Sequence, residues 1–378
     1  MIPLRLQADF TSASTSRPFV IKIEECPQNA KLRGRGSLQS LGNHQVRCDC
    51  EYGAFSFRLP RNTHLTGDVL LCVPERGIVQ RLLRRDSRHN TLLFTEQCDQ
   101  LCIMCSQPPR QTDDSWRFPL YREAIRLSDT GAQIGISGGE PTIYKRELLE
   151  LLSTAAEGRA DVSFHVLSNA QHFDRMDLPL LSRIHSRLSV TWGIPLYSCR
   201  ASVHDTVVQK RGAFDQALDG LYILAGAGAT IELRTVLQAS TAYELPRMAK
   251  FVRLHLPFIS IWSIMGLEPV GYARANWDAI SFDHSQFPDP LVHAVRVAHV
   301  LGLTVQLYNL PLCTVPAELR PYCADSISDW KRKFLRSCAP CTEQDQCCGF
   351  FEWYGGSATW SQTQPLIAGL PEESHAKA

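Results

Sequence analysis

The chain of 378 residues contains no long apolar run and no strong excess of either charge. No apolar stretch approaches the ~20 residues that a membrane-spanning helix requires. The opening segment, residues 1–9, has no apolar stretch of the kind found in secretion signals. We therefore expect a cytoplasmic protein without a membrane partner. Its contents of apolar (44%) and charged (20%) residues are ordinary for a globular protein.

The formal net charge is only +1, but the charge is distributed unevenly along the chain. Residues 1–90 carry 14 basic against 8 acidic side chains, whereas the remainder carries 25 against 30. The basic front predicts either attraction to an acidic partner or simply a solvated charged surface. The acidic balance of the remainder argues against a nucleic-acid partner.

The chain contains 14 cysteines, and a reducing compartment favours metal binding over disulfides. Cys98, Cys102 and Cys105 follow the spacing C-x3-C-x2-C. Three thiolates on so short a loop can hold a [4Fe-4S] cluster with one iron left open. Such an iron can bind a small molecule and pass it an electron. Zinc with an outside fourth ligand, or plain buried thiols, remain the alternatives at this point.

A second cysteine set lies near the end of the chain, at Cys313, Cys338, Cys341 and Cys347. Four thiolates suit a fully coordinated [4Fe-4S] cluster or a tetrahedral zinc ion, and the spacing does not separate the two. The adjacent Cys348 is an alternative to Cys347 as the fourth ligand. We interpret the remaining thiols as structural: Cys26, Cys48, Cys50, Cys72, Cys199 and Cys323.

The pattern of apolar residues divides the chain into four regions. Residues 1–90 are predicted to be β-rich, and strands then alternate with helices over 91–302. Six predicted strands, joined by helices, indicate an α/β fold with a parallel sheet. These strands span 91–95, 133–137, 162–167, 188–194, 230–237 and 258–265. A cysteine-rich region over 303–360 and a loose polar tail over 361–378 complete the chain.

Polar residues and glycines follow the ends of the predicted strands, where active groups collect in barrels of parallel strands. The cysteine trio follows the first strand. Gly138, Gly139 and Glu140 follow the second, where the glycines would let the backbone approach a ligand closely. Ser168 and Asn169 follow the third strand.

Later polar positions give weaker predictions. Glu232 and Arg234 alternate with apolar neighbours, so both point to one face, either towards a barrel lumen or as a buried ion pair. His204 and Asp205 either shape a substrate mouth or close a turn. Glu268, after the sixth strand, would add a carboxylate at the same rim.

The cysteine trio and the Gly138-Gly139-Glu140-Pro141 segment, each at a strand end and in this order, resemble the radical S-adenosylmethionine (SAM) superfamily. The resemblance implies a partial (βα)6 barrel in which the three cysteines hold a [4Fe-4S] cluster. It also implies that the glycine segment meets the methionine part of SAM, with Glu140 accepting from its ammonium, and that Met104 lies near the adenine. By the same resemblance, the four later cysteines hold an auxiliary [4Fe-4S] cluster.

Within that superfamily the chain resembles the radical SAM maturase of the His-Xaa-Ser peptide-modification system, HxsC type. Six segments carry the resemblance: 87–92, 104–109, 192–198, 308–313, 326–331 and 347–351. Where the family is expected to have Cys-Gly-Gly-Phe-Phe, this chain has Cys347-Cys348-Gly349-Phe350-Phe351. The resemblance covers about residues 65–355.

The resemblance implies an enzyme that cleaves SAM reductively and modifies a ribosomally made precursor peptide with His-Xaa-Ser repeats. It implies an electron donor such as flavodoxin or ferredoxin, and other maturation proteins as further partners. Two alternatives remain at this point: a radical SAM enzyme acting on RNA or a small metabolite, and a non-enzymatic zinc-binding interaction protein. The modified residue and the bond formed do not follow from the sequence.

Overall fold

The computed structural model describes residues 4–25, 32–325, 332–351, 354, 360–361 and 363–367. The chain forms two sheets, a seven-stranded closed barrel and a separate seven-stranded parallel sheet. The larger core lies around the parallel sheet and its helices, and a smaller core fills the barrel. Cys26 and the segment 326–331 lie outside the described residues. Across the described ranges, no helix is both long and apolar enough to span a bilayer.

The barrel forms from the front of the chain. Its strands are β1 (Arg5–Asp9), β2 (Phe19–Ile23), β3 (Arg35–Gly42), β4 (Gln45–Cys50), β5 (Gly53–Arg58), β6 (Val69–Val73) and β7 (Ile78–Leu83). They follow the order β1-β5-β4-β3-β2-β6-β7, and β1 pairs with β7 to close the ring. Every pairing is antiparallel except that of β2 with β3. The β-rich character predicted for residues 1–90 is therefore present, as one closed unit.

The second sheet is built from β8 (Asn90–Thr95), β9 (Gln133–Gly138), β10 (Ser163–Leu167), β11 (Ser189–Pro195), β12 (Thr230–Val236), β13 (Ile261–Met265) and β14 (Val305–Tyr308). All strands are parallel and lie in chain order, with β8 and β14 at the two edges. The first six correspond to the six predicted strands. The count of six was wrong, because β14 adds a seventh. Its four residues alternate apolar and polar, a pattern too short to separate from a loop in sequence.

The helices connect successive strands of the parallel sheet. They are α1 (Phe118–Leu127), α2 (Lys145–Gly158), α3 (Leu178–His185), α4 (Ala201–Val208), α5 (Ala213–Gly226), α6 (Leu245–His255), α7 (Tyr272–Ala275), α8 (Trp277–Ile280) and α9 (Asp289–Val300). Helix α2 shows why they form: Leu148, Leu152 and Ala155, spaced along one helical face, are all buried. The helices thereby cover the apolar face of the sheet.

The two faces of the parallel sheet differ sharply. On β10, Phe164 and Val166 are buried in the core with the helices, while His165 between them is part-exposed. On β14, Val305 and Leu307 are buried and Tyr308 is part-exposed. Because alternate residues of a strand face opposite sides, one face packs under helices and the other presents polar side chains. The polar face of the parallel sheet is therefore a surface on which a functional site can form.

Candidate active site

The predicted cysteine trio lies on the loop that follows β8. Cys98, Cys102 and Cys105 are all half-buried free thiols. Burial is the main cause that raises the pKa of Cys98 to about 12, and nearby negative charges, including that of Cys105, add to it. The pKa of Cys102 is raised in the same way, by burial and by the charges of Cys105 and Cys98. The three thiols are therefore close enough to act on one another.

Two glycines at the end of β9, Gly138 and Gly139, lie against the start of this loop. The Gly139 amide donates to the Thr95 carbonyl at 2.8 Å, and the Glu140 amide donates to the Gln97 carbonyl at 2.7 Å. A Cβ at Gly138 would lie 2.1 Å from the Thr95 oxygen, and one at Gly139 would lie 2.0 Å from the Gln97 oxygen. Only glycine fits such a close approach. The backbone that lies so close to the two glycines is the start of the cysteine loop.

Glu140 is buried, and its carboxylate accepts hydrogen bonds from the protein. Its Oε1 accepts from the Thr142 amide (2.8 Å), the Thr142 hydroxyl (2.5 Å) and the Ser168 hydroxyl (2.7 Å), and its Oε2 accepts from the Asn169 amide (2.6 Å). Burial raises the pKa of this carboxyl, and the four donated bonds oppose that rise. Among the described residues, Oε2 accepts only the bond from Asn169, and a carboxylate oxygen can accept a second, so the contact of Glu140 with the SAM ammonium stays a prediction.

Ser168 and Asn169 connect the end of β10 to the same loop. Besides the bonds to Glu140, the Asn169 side-chain amide donates to Asp99 at 3.0 Å. Asp99, which lies between two of the cysteines, also pairs with Lys210 and with His172. The predicted strand-end residues are thus brought together, and the Asn169 side chain joins them to the cysteine loop.

Met104 lies in a compact apolar cluster beside the cysteines. It packs among Tyr197, Leu267 and other buried residues, together with the part-buried Cys102 and Ile103.

His204 stacks on Tyr197 with ring centroids 5.6 Å apart, and burial lowers the pKa of His204 to about 4. Asp205 accepts the amides of the following turn, at 2.6 Å and 2.9 Å. Of the alternatives for His204 and Asp205, the structure supports core packing and a closed turn.

The loop after β13 also packs against the loop that carries Cys98, Cys102 and Cys105. The Tyr272 amide donates to the Cys105 carbonyl at 2.8 Å. Gly271, at φ 59°, approaches so closely that a Cβ would lie 2.4 Å from the same oxygen. Glu268, a few residues earlier, is part-exposed, as expected for a residue at the rim.

The polar face of the sheet carries a hydrogen-bonded array of three charged or titratable side chains. His165 Nε2 lies 2.7 Å from Glu232 Oε2, and Arg234 NH1 donates to both oxygens of Glu232 at 3.1 Å and 2.9 Å. Burial opposes ionisation of Glu232, but the bond to His165 and the charge of Arg234 together lower its pKa to about 2. Of the two alternatives for Glu232 and Arg234, the ion pair is present, and it lies on the polar face.

Sequence reasoning did not identify two residues of this region as site residues: His165, a member of the array, and Gly193 beside it. The His165 side chain is 43% exposed, so it is the accessible member of the array. Gly193 lies beside it, since a Cβ there would fall 3.0 Å from both His165 Nε2 and Arg234 Cδ. The alternation of β10 places His165 on the polar face, and this was the available sequence signal. Its contact with Glu232, 67 residues away in sequence, had none.

The four later cysteines line a single cavity. Cys313, Cys338, Cys341 and Cys347 all border it, together with apolar and polar neighbours such as Phe350 and Gln344. The segment 312–314 and the segment 336–338 are short 3-10 turns, so the region is held by loops rather than by long helices. The structure therefore brings the four predicted residues together around one cavity, and their role as ligands stays a prediction.

Cys347 and its neighbour Cys348 play different parts. The Cys347 sulfur borders the cavity and accepts the amides of Leu312 (3.4 Å) and Gly349 (3.3 Å). A hydrogen bond from Cys348, followed by those two amides and the charge of Arg332, lowers the pKa of Cys347 to about 6 despite burial. Cys348 is not among the cavity-lining residues. Of the two neighbours, Cys347 is therefore the one that faces the cavity.

The polar tail predicted to begin at residue 361 is not loose at its start. Thr363, Gln364 and Pro365 border the cysteine cavity, and the Leu366 carbonyl accepts from the Thr342 amide at 2.8 Å. A short polar segment gives no sequence sign of such docking, and the boundary at 361 stays a prediction. Residues 368–378 lie outside the described part of the chain.

The arrangement of the thiols bears on whether they suit a single metal ion or an iron–sulfur cluster. Within the described ranges, no three histidine, cysteine, aspartate or glutamate side chains converge on one point where a single ion would fit. An iron–sulfur cluster places a different iron behind each thiolate, so its cysteines surround a volume rather than a point. Three thiols around one loop, and four around one cavity, fit that requirement.

Comparisons with known proteins give distant structural likeness only. No protein-family model and no curated protein matches the chain. Streptococcus suis SuiB bound to S-adenosylmethionine is 16% identical, with a TM-score of 0.46 over 57% of this chain and 49% of that one. Native anSMEcpe with bound AdoMet and Cp18Cys peptide is 12% identical, with a TM-score of 0.42 over 57% of this chain and 62% of that one. A domain of pyruvate-formate lyase-activating enzyme from Bacteroides vulgatus is 15% identical, with a TM-score of 0.37 over 47% of this chain and 99% of that one.

The chain spans about half the length of SuiB and less than two thirds of anSMEcpe. At such identities and scores these likenesses carry no function to this chain. Any proposal for its activity rests on its own side chains.

Proposed function

We propose that this chain is a radical SAM enzyme that modifies a ribosomally made precursor peptide containing His-Xaa-Ser repeats. One observation carries the proposal: three mutually close, half-buried thiols lie at the carboxyl end of a parallel strand. The backbone of the next strand end is pressed against their loop through two glycines. The carboxyl edge of such a sheet is where active groups of this fold class gather.

The thiols of Cys98, Cys102 and Cys105 would hold a [4Fe-4S] cluster and leave one iron without a protein ligand. When bound, such a cluster supplies the electron that cleaves SAM into methionine and a 5′-deoxyadenosyl radical, which takes a hydrogen atom from the substrate. The protein's part is to hold the loop rigid and to exclude water around it. Asp99 does the first through its bond from Asn169, as does the Glu140 amide through its bond to Gln97, and the Met104 cluster does the second.

The polar face of the sheet offers groups for the polar parts of SAM. Arg234 is the cation suited to a carboxylate, and the part-exposed His165 is the accessible hydrogen-bonding group beside it. Glu232 holds both of them, so its role is to position rather than to contact. The backbone around Gly138 and Gly139 remains our proposal for the methionine part.

We assign the four later cysteines to an auxiliary [4Fe-4S] cluster. Their arrangement around one cavity supports it, as does the Cys347 sulfur, which accepts two backbone amides as a ligating thiolate does. A flavodoxin or ferredoxin as electron donor, further maturation proteins as partners, and a cytoplasmic location remain parts of the same proposal.

The deciding experiment measures iron, sulfide and zinc in anaerobically purified protein, and then SAM cleavage after reduction. We expect iron with sulfide, and 5′-deoxyadenosine as a product. Replacing Cys98, Cys102 or Cys105 singly by alanine should abolish cleavage. Cys199→Ala is the matched control, because that thiol is also half-buried but is outside both sets. Zinc without sulfide, or cleavage retained in any of the three variants, would refute the proposal.

The substrate assignment has its own test. Peptides with His-Xaa-Ser repeats are incubated with reduced enzyme and SAM, and their mass is compared with that of scrambled peptides of equal composition. We expect a mass change in the repeat peptides alone. Equal modification of both sets would contradict the repeat specificity while leaving the radical SAM assignment intact.

A further inference from the structure

A second cleft lies at the seam between the barrel and the parallel sheet. Its volume is about 530 Å³, within the range of ligand-binding pockets. One wall comes from β6, β7 and the connection that leads into β8. The other comes from the turn between α1 and β9. Its lining includes Arg84, Arg85, Arg88, Val69, Leu83 and Ile134. The cleft borders the starts of β8 and β9, and so lies at the opposite end of the sheet from the cysteine loop.

The side chains that line this cleft carry more positive than negative charge. Among the described residues, three arginines line it, against one lining carboxylate, Asp129, while Glu25 and Asp86 lie near Arg85 outside the lining. Asp129 already forms an ion pair with Lys22 of the barrel. Arg85 pairs with Glu25 at 3.0 Å, but both side chains are more than half exposed (52% and 74%), so the pair is weak and exchangeable. Two of the lining arginines, Arg85 and Arg88, are therefore exposed and can exchange their surface partners for a charged ligand.

The lining also indicates which anionic ligand fits. The cleft's lining within the described part of the chain contains no aromatic side chain, whereas single-stranded nucleic acids are held by stacking on aromatic rings. Val69, Leu83 and Ile134 give the cleft an apolar floor suited to aliphatic side chains. Backbone groups along 128–134 border the same space. A polypeptide segment that mixes carboxylates with aliphatic residues matches this combination of cations, floor and backbone.

We propose that this cleft is the docking site for an acidic, aliphatic segment of the peptide substrate. The inference builds on the proposed function, and it places the docking contact at the seam between the barrel and the parallel sheet. From the start of β8 at Asn90 to its end at Thr95, the sheet rises about 17 Å. An extended chain therefore needs at least about five residues to pass from the anchor to the cysteine end.

The binding test uses the full chain without SAM or reductant, so that it does not depend on catalysis. The probe is a short fluorescent peptide in which glutamate alternates with leucine, followed by fluorescence anisotropy. Arg85→Glu/Arg88→Glu should weaken binding about tenfold or more, because two attractive contacts become repulsive. Arg5→Glu/Arg58→Glu is the matched control: it makes the same change in net charge on exposed barrel residues outside the cleft lining. It should leave affinity within about twofold.

The opposite-charge probe makes the assignment sharper. A lysine–leucine peptide should bind the native protein poorly and the Arg85→Glu/Arg88→Glu variant better. Equal losses in cleft and control variants would overturn the proposal, since they would show only a general charge effect. Tighter binding of a single-stranded oligonucleotide than of the acidic peptide, lost in the same cleft variant, would also overturn it in favour of nucleic acid.

A spacing test links the cleft to the reaction. Repeat peptides joined to the acidic segment by about two or about ten glycine–serine residues are compared for modification. We expect only the longer linker to let the acidic segment improve turnover. Equal improvement by both linkers would contradict an anchor at the far end of the sheet. SAM cleavage without substrate should be unchanged in the cleft variants. Absent cleavage in the native protein would instead reject the proposed function and leave the binding result standing.

Discussion

Replacing Gly139 by alanine should detach the cysteine loop from the sheet. The added Cβ would lie 2.0 Å from the Gln97 carbonyl oxygen, 2.5 Å from its carbon and 3.1 Å from the Cβ of Cys98. To reach an ordinary contact of 3.4 Å, one backbone must move by about 1.4 Å away from the other. The close contacts are backbone atoms, which cannot move aside as the end of a flexible side chain does.

That movement would break the two backbone hydrogen bonds that join the segments, from Gly139 to Thr95 and from Glu140 to Gln97. At about 0.5–1.5 kcal/mol each, their loss costs roughly 1–3 kcal/mol. The larger consequence is positional, because the first cysteine follows Gln97 directly. A displacement of more than an ångström at Cys98 would spoil the placement of its thiol relative to those of Cys102 and Cys105.

The assay is iron and sulfide content after anaerobic reconstitution, in a background carrying Cys338→Ala and Cys341→Ala so that only the first site is counted. We expect Gly139→Ala to lose most of its iron. Gly158→Ala is the control: it lies at the end of α2, has no positive φ, and its added Cβ meets nothing within 4 Å. Full iron and an unchanged thermal midpoint in Gly139→Ala would refute the close-approach argument.

Further predictions test the remaining contacts. Glu140→Gln should lower the thermal midpoint and cost about 2–3 kcal/mol, because an amide cannot accept all four donors; an unchanged midpoint would show that the acid is neutral. Cys347→Ser should reduce the iron of the second site whereas Cys348→Ser should not; the reverse result would reassign the ligand. Burial lowers the pKa of His284 from 6.5 to about 4. Between these two pH values the unfolded chain binds a proton on His284 that the folded chain does not bind, so stability falls as the pH falls. His284→Gln should remove about 3 kcal/mol of this loss, which would appear as a weaker dependence of the thermal midpoint on pH between 7 and 4.5. Deleting residues 1–64 should cause aggregation on size-exclusion chromatography, since it removes five of the seven barrel strands; a monomeric product that loses only peptide binding would contradict the closed barrel.

Much of the fold was predictable because its elements are coded locally. The six strands of the parallel sheet and helices α2, α5 and α9 carry apolar repeats of period two or 3.6 over enough residues to be recognised. The hairpin of β6 and β7 is marked by Pro74 and by Gly77, which takes a left-handed conformation. Strand β14 and the docked segment 363–367 were missed, because four or five residues carry too little pattern.

The sequence by itself determined the chemistry of the site: two sets of thiols, their order along the chain, and glycines at a strand end. Spacing along a loop is enough to state which residues share a site, because neighbours in sequence are neighbours in space. The tertiary structure alone decided what the polar residues do. Glu140 is an internal hydrogen-bond acceptor, and Glu232 holds His165 and Arg234. It also placed three arginines of the connection from the barrel against the start of β9, because these contacts join segments far apart in the chain and follow from packing rather than from any local pattern.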